Sequence, residues 1–293
     1  MFWRLFGLDR EVVQLLSTLY DNTCHNGRHK TSAKVEVYLG LLHFKKNLDP
    51  ELLALIFGLT SDTSSGASTA YNIKERSLDF LETWVAQFYP SFTRHERMRH
   101  QFIIGNKCLL LVVDGTEQSV VKPKSSWMSS IFWSAKKKKF SINKLIGCTV
   151  DGLIMWLSDS YPGRYVDSEI LEKELCFLVE DWDFELILAD QGFEGFYIYF
   201  IIQSLILTFK LGNPRVIIPN DWINDSQLRS IRIQVENTIN WLKLYDILSE
   251  QLRDKIGAKE IRILAKHHRN YFIGGGLVNY NIRWNKAFML VRK

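Results

Sequence analysis

Hydrophobic positions in the first hundred residues recur with the period of an α-helix. Apolar side chains follow each other three or four residues apart in VEVYLGLLHFKK (35–46) and in TAYNIKERSLDFLETWVAQFY (69–89). That spacing places them on one face of a helix. Between the two, DPELLALIFGL (49–59) begins with Asp49 at an N-cap position and Pro50 at the first helical position. The pattern predicts a helical region over residues 1–100.

The last two of these helices are joined by the turn-rich stretch TSDTSSGAST (60–69). A short helix, a turn and a second helix suggest a helix-turn-helix, which in DNA-binding proteins places its second helix in the major groove. Small helical bundles give the same pattern, however, and the chain has no Lys or Arg between Asn47 and Ile73. Both interpretations remain open from the sequence.

The pattern changes to that of strands after residue 105. KCLLLVVDGTE (107–117) and FELILADQGF (184–193) contain continuous apolar runs, which are typical of strands buried on both faces. We expect the first strand to end at Asp114 and the second at Asp190. The stretch 138–163 between them predicts a hairpin that turns at Asp151-Gly152.

The remaining segments alternate between helix and strand. We expect a helix over 167–182 with Asp167 or Ser168 as its cap, a buried helix over 195–209, a short strand over 215–219 and an amphipathic helix over 230–243. A mixed sheet covered by helices on both faces fits this order. The sequence thus predicts an α/β domain over 105–290 after the helical region.

Composition and charge narrow the class of protein. Of the 293 residues, 46% are hydrophobic and 24% charged, which is ordinary for a globular protein. The longest apolar stretch (196–209) is too short to span a bilayer, so we expect no membrane association. The net charge is only +5, but ten Lys or Arg stand against three acids between Thr93 and Lys139. A local basic excess favours a polyanion partner, and it equally suits a solvated surface.

Three carboxylates are the candidate ligands of a catalytic metal site. Asp114 and Asp190 are expected at the ends of buried strands, where open α/β sheets place their ligand sites, and Glu236 lies on a later helix. Oxygen ligands of this kind favour a hard cation such as Mg²⁺, and paired ions can activate water at a phosphodiester. The simpler interpretations are a turn residue for each aspartate and a surface ion pair with Arg232 for Glu236.

Four stretches carry a resemblance to a known family. They are VVDGTE (112–117), FSINKLIGCTVDGLIMWLSDSYPGRYVDSEIL (140–171), LADQGFEG (188–195) and RIQVENTINWLK (232–243). Together they resemble the DDE superfamily endonuclease domain of Harbinger-type transposases. The resemblance extends over roughly residues 105 to 285, and LDPELLALIFGLTSDTSS (48–65) is similar to the helix-turn-helix that precedes this domain in the family.

The resemblance implies a ribonuclease-H-like fold and a catalytic, metal-binding triad of Asp114, Asp190 and Glu236. It implies a divalent cation, Mg²⁺ or Mn²⁺, as cofactor. The implied activity is hydrolysis of DNA at transposon ends, followed by attack of the freed 3′-hydroxyl on target DNA. It also implies a nuclear location and a separate Myb-like DNA-binding partner, and it leaves an oligomer open.

Other residues keep two interpretations. Lys136, Lys137, Lys138 and Lys139 are candidates for DNA binding, but a strand beginning at this run would point alternate lysines to opposite faces, so at most half could face one groove. Glu117 is either an acid that supports the site or a surface residue.

A domesticated transposase derivative that binds DNA or protein without cutting is the alternative function. An unrelated α/β hydrolase is disfavoured because no Ser or Cys nucleophile stands beside a suitable His.

Overall fold

The computed structural model describes most of the chain. The described residues are 2–25, 31–59, 63–90, 94–99, 102–104, 107–174, 185–189, 193, 199–202, 205–208, 216–217, 226–252 and 260–284. They group into two compact units: Met1–Phe88 with Leu242–Glu250 and Arg269–Lys293, and Tyr89–Trp241 with Gln251–His268. The division of the sequence into a helical region 1–100 and an endonuclease domain 105–290 stays a prediction.

Helices dominate the first unit and flank the sheet of the second. They are α1 (Phe2–Phe6), α2 (Arg10–Tyr20), α3 (Ala33–Lys46), α4 (Pro50–Phe57), α5 (Thr63–Val85), α6 (Arg94–Arg99), α7 (Ser126–Phe132), α8 (Asp167–Glu174), α9 (Ser226–Leu242), α10 (Asp246–Ser249) and α11 (Glu260–Trp284). A π-helical turn (Asp21–His25) follows α2, and a 3-10 turn (Ala86–Phe88) follows α5.

The strands are short except for two long central ones. They are β1 (Phe102–Ile104), β2 (Lys107–Ser119), β3 (Trp133–Ser134), β4 (Lys139–Cys148), β5 (Ile154–Leu157), β6 (Tyr161–Pro162), β7 (Glu185–Leu188), β8 (Tyr199–Ile202), β9 (Leu205–Thr208) and β10 (Val216–Ile217).

The first unit has the helices that the sequence predicts. The Asp49 side chain caps α4 by accepting a hydrogen bond of 2.8 Å from the Leu52 N–H, and α3, α4 and α5 share a core of Leu39, Leu42, Leu53, Ala54, Ala70 and Ile73. Beside this core the Glu36 carboxylate is fully buried; it accepts hydrogen bonds from the Tyr20 hydroxyl (2.6 Å) and from Arg76 Nη2 (2.8 Å). The buried charge is therefore paired rather than isolated, as a stable core requires.

The second unit is built on one mixed sheet. Its central order is β5-β4-β2-β7-β10. β4 is antiparallel to both β5 and β2, whereas β2, β7 and β10 run parallel to one another. One face of the sheet packs on α8 through a core that includes Val113, Leu145 and Ile170. A mixed sheet of this order, flanked by helices, is compatible with the ribonuclease-H-like fold that the resemblance implies.

Two local predictions are wrong. β2 does not end at Asp114: its parallel pairing with β7 stops at Val112–Leu188, but its antiparallel pairing with β4 continues to Ser119. The stretch 195–209 was expected as one helix, but its described residues form the two-stranded β8–β9 hairpin. Runs that are apolar throughout carry no period, and β-branched and aromatic residues such as those of β8 favour a strand.

Candidate active site

Asp114 lies in the middle of β2, on the sheet face that α9 covers. Its half-buried carboxylate accepts a hydrogen bond of 2.7 Å from the Gly115 N–H. Val112 is directly opposite Cys148 on β4, so their side chains lie on the same face of the sheet. Asp114 follows Val112 by two positions and therefore points to that face as well. Burial raises the pKa of the Cys148 thiol, and a hydrogen bond with Thr238 of α9 partly offsets that effect. The Asp114 side chain and α9 therefore share one face of the sheet.

Glu236 borders the buried stripe of α9. Val235 and Thr238 are fully buried, and Thr238 also donates a 2.9 Å hydrogen bond to the Gly152 carbonyl of the β4–β5 turn. Glu236 is 42% exposed, and its Oε1 lies 2.7 Å from Arg232 Nη1 one turn earlier. The helix is thus fixed on the sheet by Thr238, and the ion pair expected from the sequence is present.

Asp190, the second acid of the predicted triad, lies outside the described residues. The strand before it is described, and Leu188 pairs in parallel with Val112. In sequence, Asp190 follows Leu188 by two residues, as Asp114 follows Val112. Among the described residues, no three His, Cys, Asp or Glu side chains come together in a way that could hold a metal ion.

Asp114 and Glu236, the two described acids, are of the residue type that binds hard cations. Both offer carboxylate oxygens, and both side chains are only partly buried, so waters can complete the coordination that Mg²⁺ requires. Each carboxylate already has a polar partner, the Gly115 N–H or the Arg232 guanidinium. A cation would share Asp114 with a backbone donor and would compete with Arg232 for Glu236.

The lysine run forms a hairpin turn rather than the start of a strand. Trp133 and Ser134 of β3 pair with Phe140 and Lys139 of β4, so the first three lysines occupy the connection. Lys138 has a left-handed φ of 52°. The alternation expected for a strand does not apply to them. Lys136, Lys137 and Lys138 are exposed, and their role in DNA binding stays a prediction.

Asp167 is placed differently from the expected helix cap. It is the first residue of α8, and the preceding Val166 carbonyl accepts the first helical hydrogen bond, from the Ile170 N–H. The Asp167 carboxylate packs on the backbone of Gly115, where an added Cβ would lie 2.5 Å from its Oδ1, and its Oδ2 accepts a hydrogen bond of 3.0 Å from Lys136. The acid of the Pro-Gly-x-x-x-Asp-Ser stretch therefore contacts the residue next to Asp114.

Glu117 faces the same side as Asp167. Its carboxylate accepts hydrogen bonds from the Ser134 hydroxyl (3.2 Å) and the Ser141 hydroxyl (3.0 Å). Burial alone lowers the pKa of Lys136, but the hydrogen bond and charge of Asp167, with the charges of Glu117 and Asp114, outweigh it and raise that pKa. These three acids and Lys136 thus form one charged cluster around β2, which spacing along the chain does not reveal.

A second polar cluster surrounds Lys144 of β4, which is almost fully buried. Its ammonium donates to the Ser158 carbonyl and lies 2.9 Å from His268 Nδ1. Burial lowers the pKa of Lys144 to about 7, although the charges of Glu174 and Asp159 raise it. Burial and the neighbouring Lys144 also lower the pKa of His268 to about 4. The sequence pattern assigns no role to this histidine.

In the N-terminal unit, the helix-turn-helix remains a prediction. α4 and α5 are present, but α4 exposes the apolar side chains Leu52, Leu55 and Ile56. In the parts of the chain that are described, no helix combines the length and hydrophobicity needed to cross a bilayer.

The mixed sheet thus carries an aspartate in its long central strand and a glutamate on the helix that covers the same face. Comparison with known families identifies the chain further. The family model described as DDE superfamily endonuclease matches residues 113–269, a little over half of the chain, and the chain belongs to this family. Neither the curated proteins nor the solved structures gave a match.

Proposed function

We propose that this chain is a transposase-type endonuclease of the Harbinger type, which hydrolyses phosphodiester bonds of DNA with a divalent cation held by Asp114, Asp190 and Glu236. The observation that carries the proposal is the common face of Asp114 and α9, together with the family match over 113–269. A bound cation pair supplies the activation of water and stabilisation of the leaving oxygen.

The chain's own residues would hold this arrangement in place. Asp114 is on a strand paired on both sides up to Val112, and its Oδ1 is oriented by the Gly115 N–H. Thr238 anchors α9 to the β4–β5 turn and thereby sets the height of Glu236 above the sheet. Asp190 supplies the third carboxylate in the proposal, because its position two residues after Leu188 matches that of Asp114 after Val112.

DNA is the substrate in this proposal, and the exposed lysines 136–138 are proposed to contact its phosphates. A separate DNA-binding partner of the Myb type would supply target recognition, since α4 and the first part of α5 lack cations up to Lys74. The proposal includes a nuclear location, which imaging of a fluorescent fusion in a eukaryotic cell would test.

The experiment is nicking of supercoiled plasmid with Mg²⁺ or Mn²⁺. Wild type is compared with Asp190→Asn, Glu236→Gln and the control Glu172→Gln, which changes an exposed acid of α8. We expect metal-dependent nicking by wild type and the control, and at least a hundredfold loss in both site variants, as removal of a group that acts in the transition state produces. Equal nicking by all four proteins would refute the assigned triad.

If wild type does not nick the plasmid, calorimetry with Mn²⁺ separates the remaining outcomes. Binding that is lost in Glu236→Gln would support the metal site and point to a missing partner or DNA end. Absence of Mn²⁺ binding would overturn the enzyme and leave the non-cutting binding module.

A further inference from the structure

A cavity of about 530 Å³ opens on the α8 face of the sheet, beside the β3–β4 hairpin. Its walls include Trp133, Lys136, Asn143, Arg164 and Asp167, all within the second unit. Volumes of a few hundred Å³ are typical of sites for small molecules or single nucleotides. The proposed metal site lies on the other face of β2, and Gly115 separates Asp114 from the Asp167 carboxylate at the cavity wall.

Asn143, one of the residues that line the cavity, carries a buried side-chain oxygen that has no hydrogen-bond partner among the described residues. Asn143 is only 3% exposed, and its Nδ2 donates a hydrogen bond of 2.6 Å to the Tyr165 carbonyl. That contact fixes the orientation of the amide, because the reversed amide would bring two acceptors together. Within the described part of the chain, no hydrogen-bond donor reaches Asn143 Oδ1. A buried acceptor without a partner is unfavourable, so a ligand that brings an N–H group to this oxygen would gain affinity.

The rim of the cavity combines an aromatic ring with cations. Trp133 is 42% exposed, and its ring is held edge-on by Phe140 at 5.2 Å between centroids. Arg164 is exposed, and its backbone N–H is tied to the Ile131 carbonyl, which fixes where the side chain starts. Lys136 donates one hydrogen bond to Asp167 and keeps two further N–H groups. Exposed aromatic rings next to cations are the usual platform for single-stranded nucleic acid.

We propose that this cavity binds one unpaired nucleotide of the DNA substrate, with the base stacked on Trp133, an amino group of the base donating to Asn143 Oδ1, and the adjoining phosphate held by Arg164 and Lys136. This inference rests on the proposed function for the identity of the polymer. It adds that the DNA is locally single-stranded at this position, since a base in a duplex cannot present its hydrogen-bonding edge to a cavity wall.

Binding can be measured without cleavage, which separates this proposal from the nuclease. The probe is a fluorescein-labelled 12-mer of deoxyadenosine, titrated in EDTA and followed by anisotropy. We expect Trp133→Leu and Arg164→Gln each to weaken binding about tenfold, because the first removes the ring on which the base stacks and the second removes a phosphate contact. The matched controls are Trp127→Leu, another exposed tryptophan, and Arg10→Gln, an exposed arginine of the first unit.

A second probe tests the hydrogen bond to Asn143. A 12-mer of purine deoxyriboside lacks only the exocyclic amine, and wild type should bind it several-fold more weakly than the deoxyadenosine 12-mer. Asn143→Leu should remove that difference, and because the comparison is between two ligands of one protein, a modest loss of stability does not affect it. Thermal melting confirms that the variant is folded.

The outcomes are distinct for the two proposals. Equal losses in the cavity variants and their controls, or no binding of either 12-mer by wild type, would overturn the nucleotide site and leave plasmid nicking untouched. Loss of nicking in Glu236→Gln with unchanged 12-mer binding would support both. Tight 12-mer binding that depends on Trp133 in a protein that never nicks DNA would support the cavity and overturn the nuclease.

Discussion

The Asp167 carboxylate lies directly on the backbone of Gly115, although 52 positions separate the two residues in the chain. A Cβ added at Gly115 would meet Asp167 Oδ1 at 2.5 Å, Cγ at 2.6 Å and Oδ2 at 2.8 Å. Gly115 therefore provides the space that brings an acid of α8 next to the strand of Asp114.

Gly115→Ala is expected to destabilise the second unit by about 1–3 kcal/mol, the usual effect of overpacking. The double variant Gly115→Ala/Asp167→Ala should recover most of that loss, because all three contacted atoms are then absent. Asp167→Ala alone removes an ion pair with the largely exposed Lys136, which contributes at most about 1 kcal/mol. Urea unfolding of the four proteins measures this, and a double variant no more stable than Gly115→Ala would contradict the steric explanation.

Glu36→Ala is expected to lower the free energy of unfolding by about 3 kcal/mol or more. The substitution leaves the Tyr20 hydroxyl and the Arg76 guanidinium without their carboxylate in the first unit. Burial and the contact with Glu36 raise the pKa of Tyr20, so the phenol stays protonated at neutral pH. Glu11→Ala, at an exposed position of α2, is the control and should change the unfolding free energy by no more than about 0.5 kcal/mol. Chemical denaturation that finds the two variants equally stable would refute the buried network.

Lys144 should make stability depend on pH in the alkaline range. Its pKa is lowered by burial to about 7 in the folded protein, against about 10.4 in an unfolded chain. Between these values the unfolded state binds more protons, so stability rises as pH increases from 7 towards 10. Below pH 7 both states are protonated and this contribution no longer changes.

The measurement is urea unfolding at pH 7, 8, 9 and 10 for wild type, Lys144→Met and the exposed control Lys122→Met. Wild type and the control are expected to gain up to about 1.4 kcal/mol per pH unit relative to Lys144→Met. Parallel pH profiles for all three proteins would show that Lys144 is not held neutral in the folded state.

Arg232→Gln tests the competition for Glu236. The Arg232–Glu236 pair is partly exposed and one helical turn apart, so its loss should change stability by no more than about 0.5 kcal/mol. Mn²⁺ affinity should instead rise several-fold, because the neighbouring positive charge no longer opposes the cation. Arg262→Gln, at an exposed position of α11, is the control in the same calorimetric titration. Unchanged affinity in Arg232→Gln would place the cation away from Glu236.

Helices were predicted best from the sequence where the hydrophobic residues recur with a single clear period. The 3.6-residue period located α3, α5 and α9, and the Asp49-Pro50 pair located the start of α4. The end of β2 was missed because a strand can lose one neighbour and keep the other: the polar second half of β2 still pairs with β4. The apolar run over 195–209 was predicted as a helix, but its described residues form β8 and β9. A run that is apolar throughout has no period that distinguishes a helix from a strand.

For the candidate site, the sequence named the residues but not their neighbours. Asp114 and Glu236 follow from strand and helix patterns together with the family resemblance, and Asp190 lies outside the described residues. The contact of Asp167 with Gly115 and the buried amide of Asn143 depend on long-range packing. No spacing rule along the chain encodes such contacts.

The centre of α11 has a consequence for how the first unit forms. Gly274 and Gly276 allow this helix to approach Leu248 and Val85 so closely that a Cβ would lie 2.6 and 2.4 Å from their side chains. Glycines weaken an isolated helix by about 1 kcal/mol each, so this stretch gains its helical stability from the partners it touches. During synthesis the helices of residues 2–85 leave the ribosome long before residues 269–284 are made, and their core stays incomplete until that later segment has been synthesised. If the chain were released before this segment is made, the apolar faces of these helices would stay exposed to chaperones and proteases.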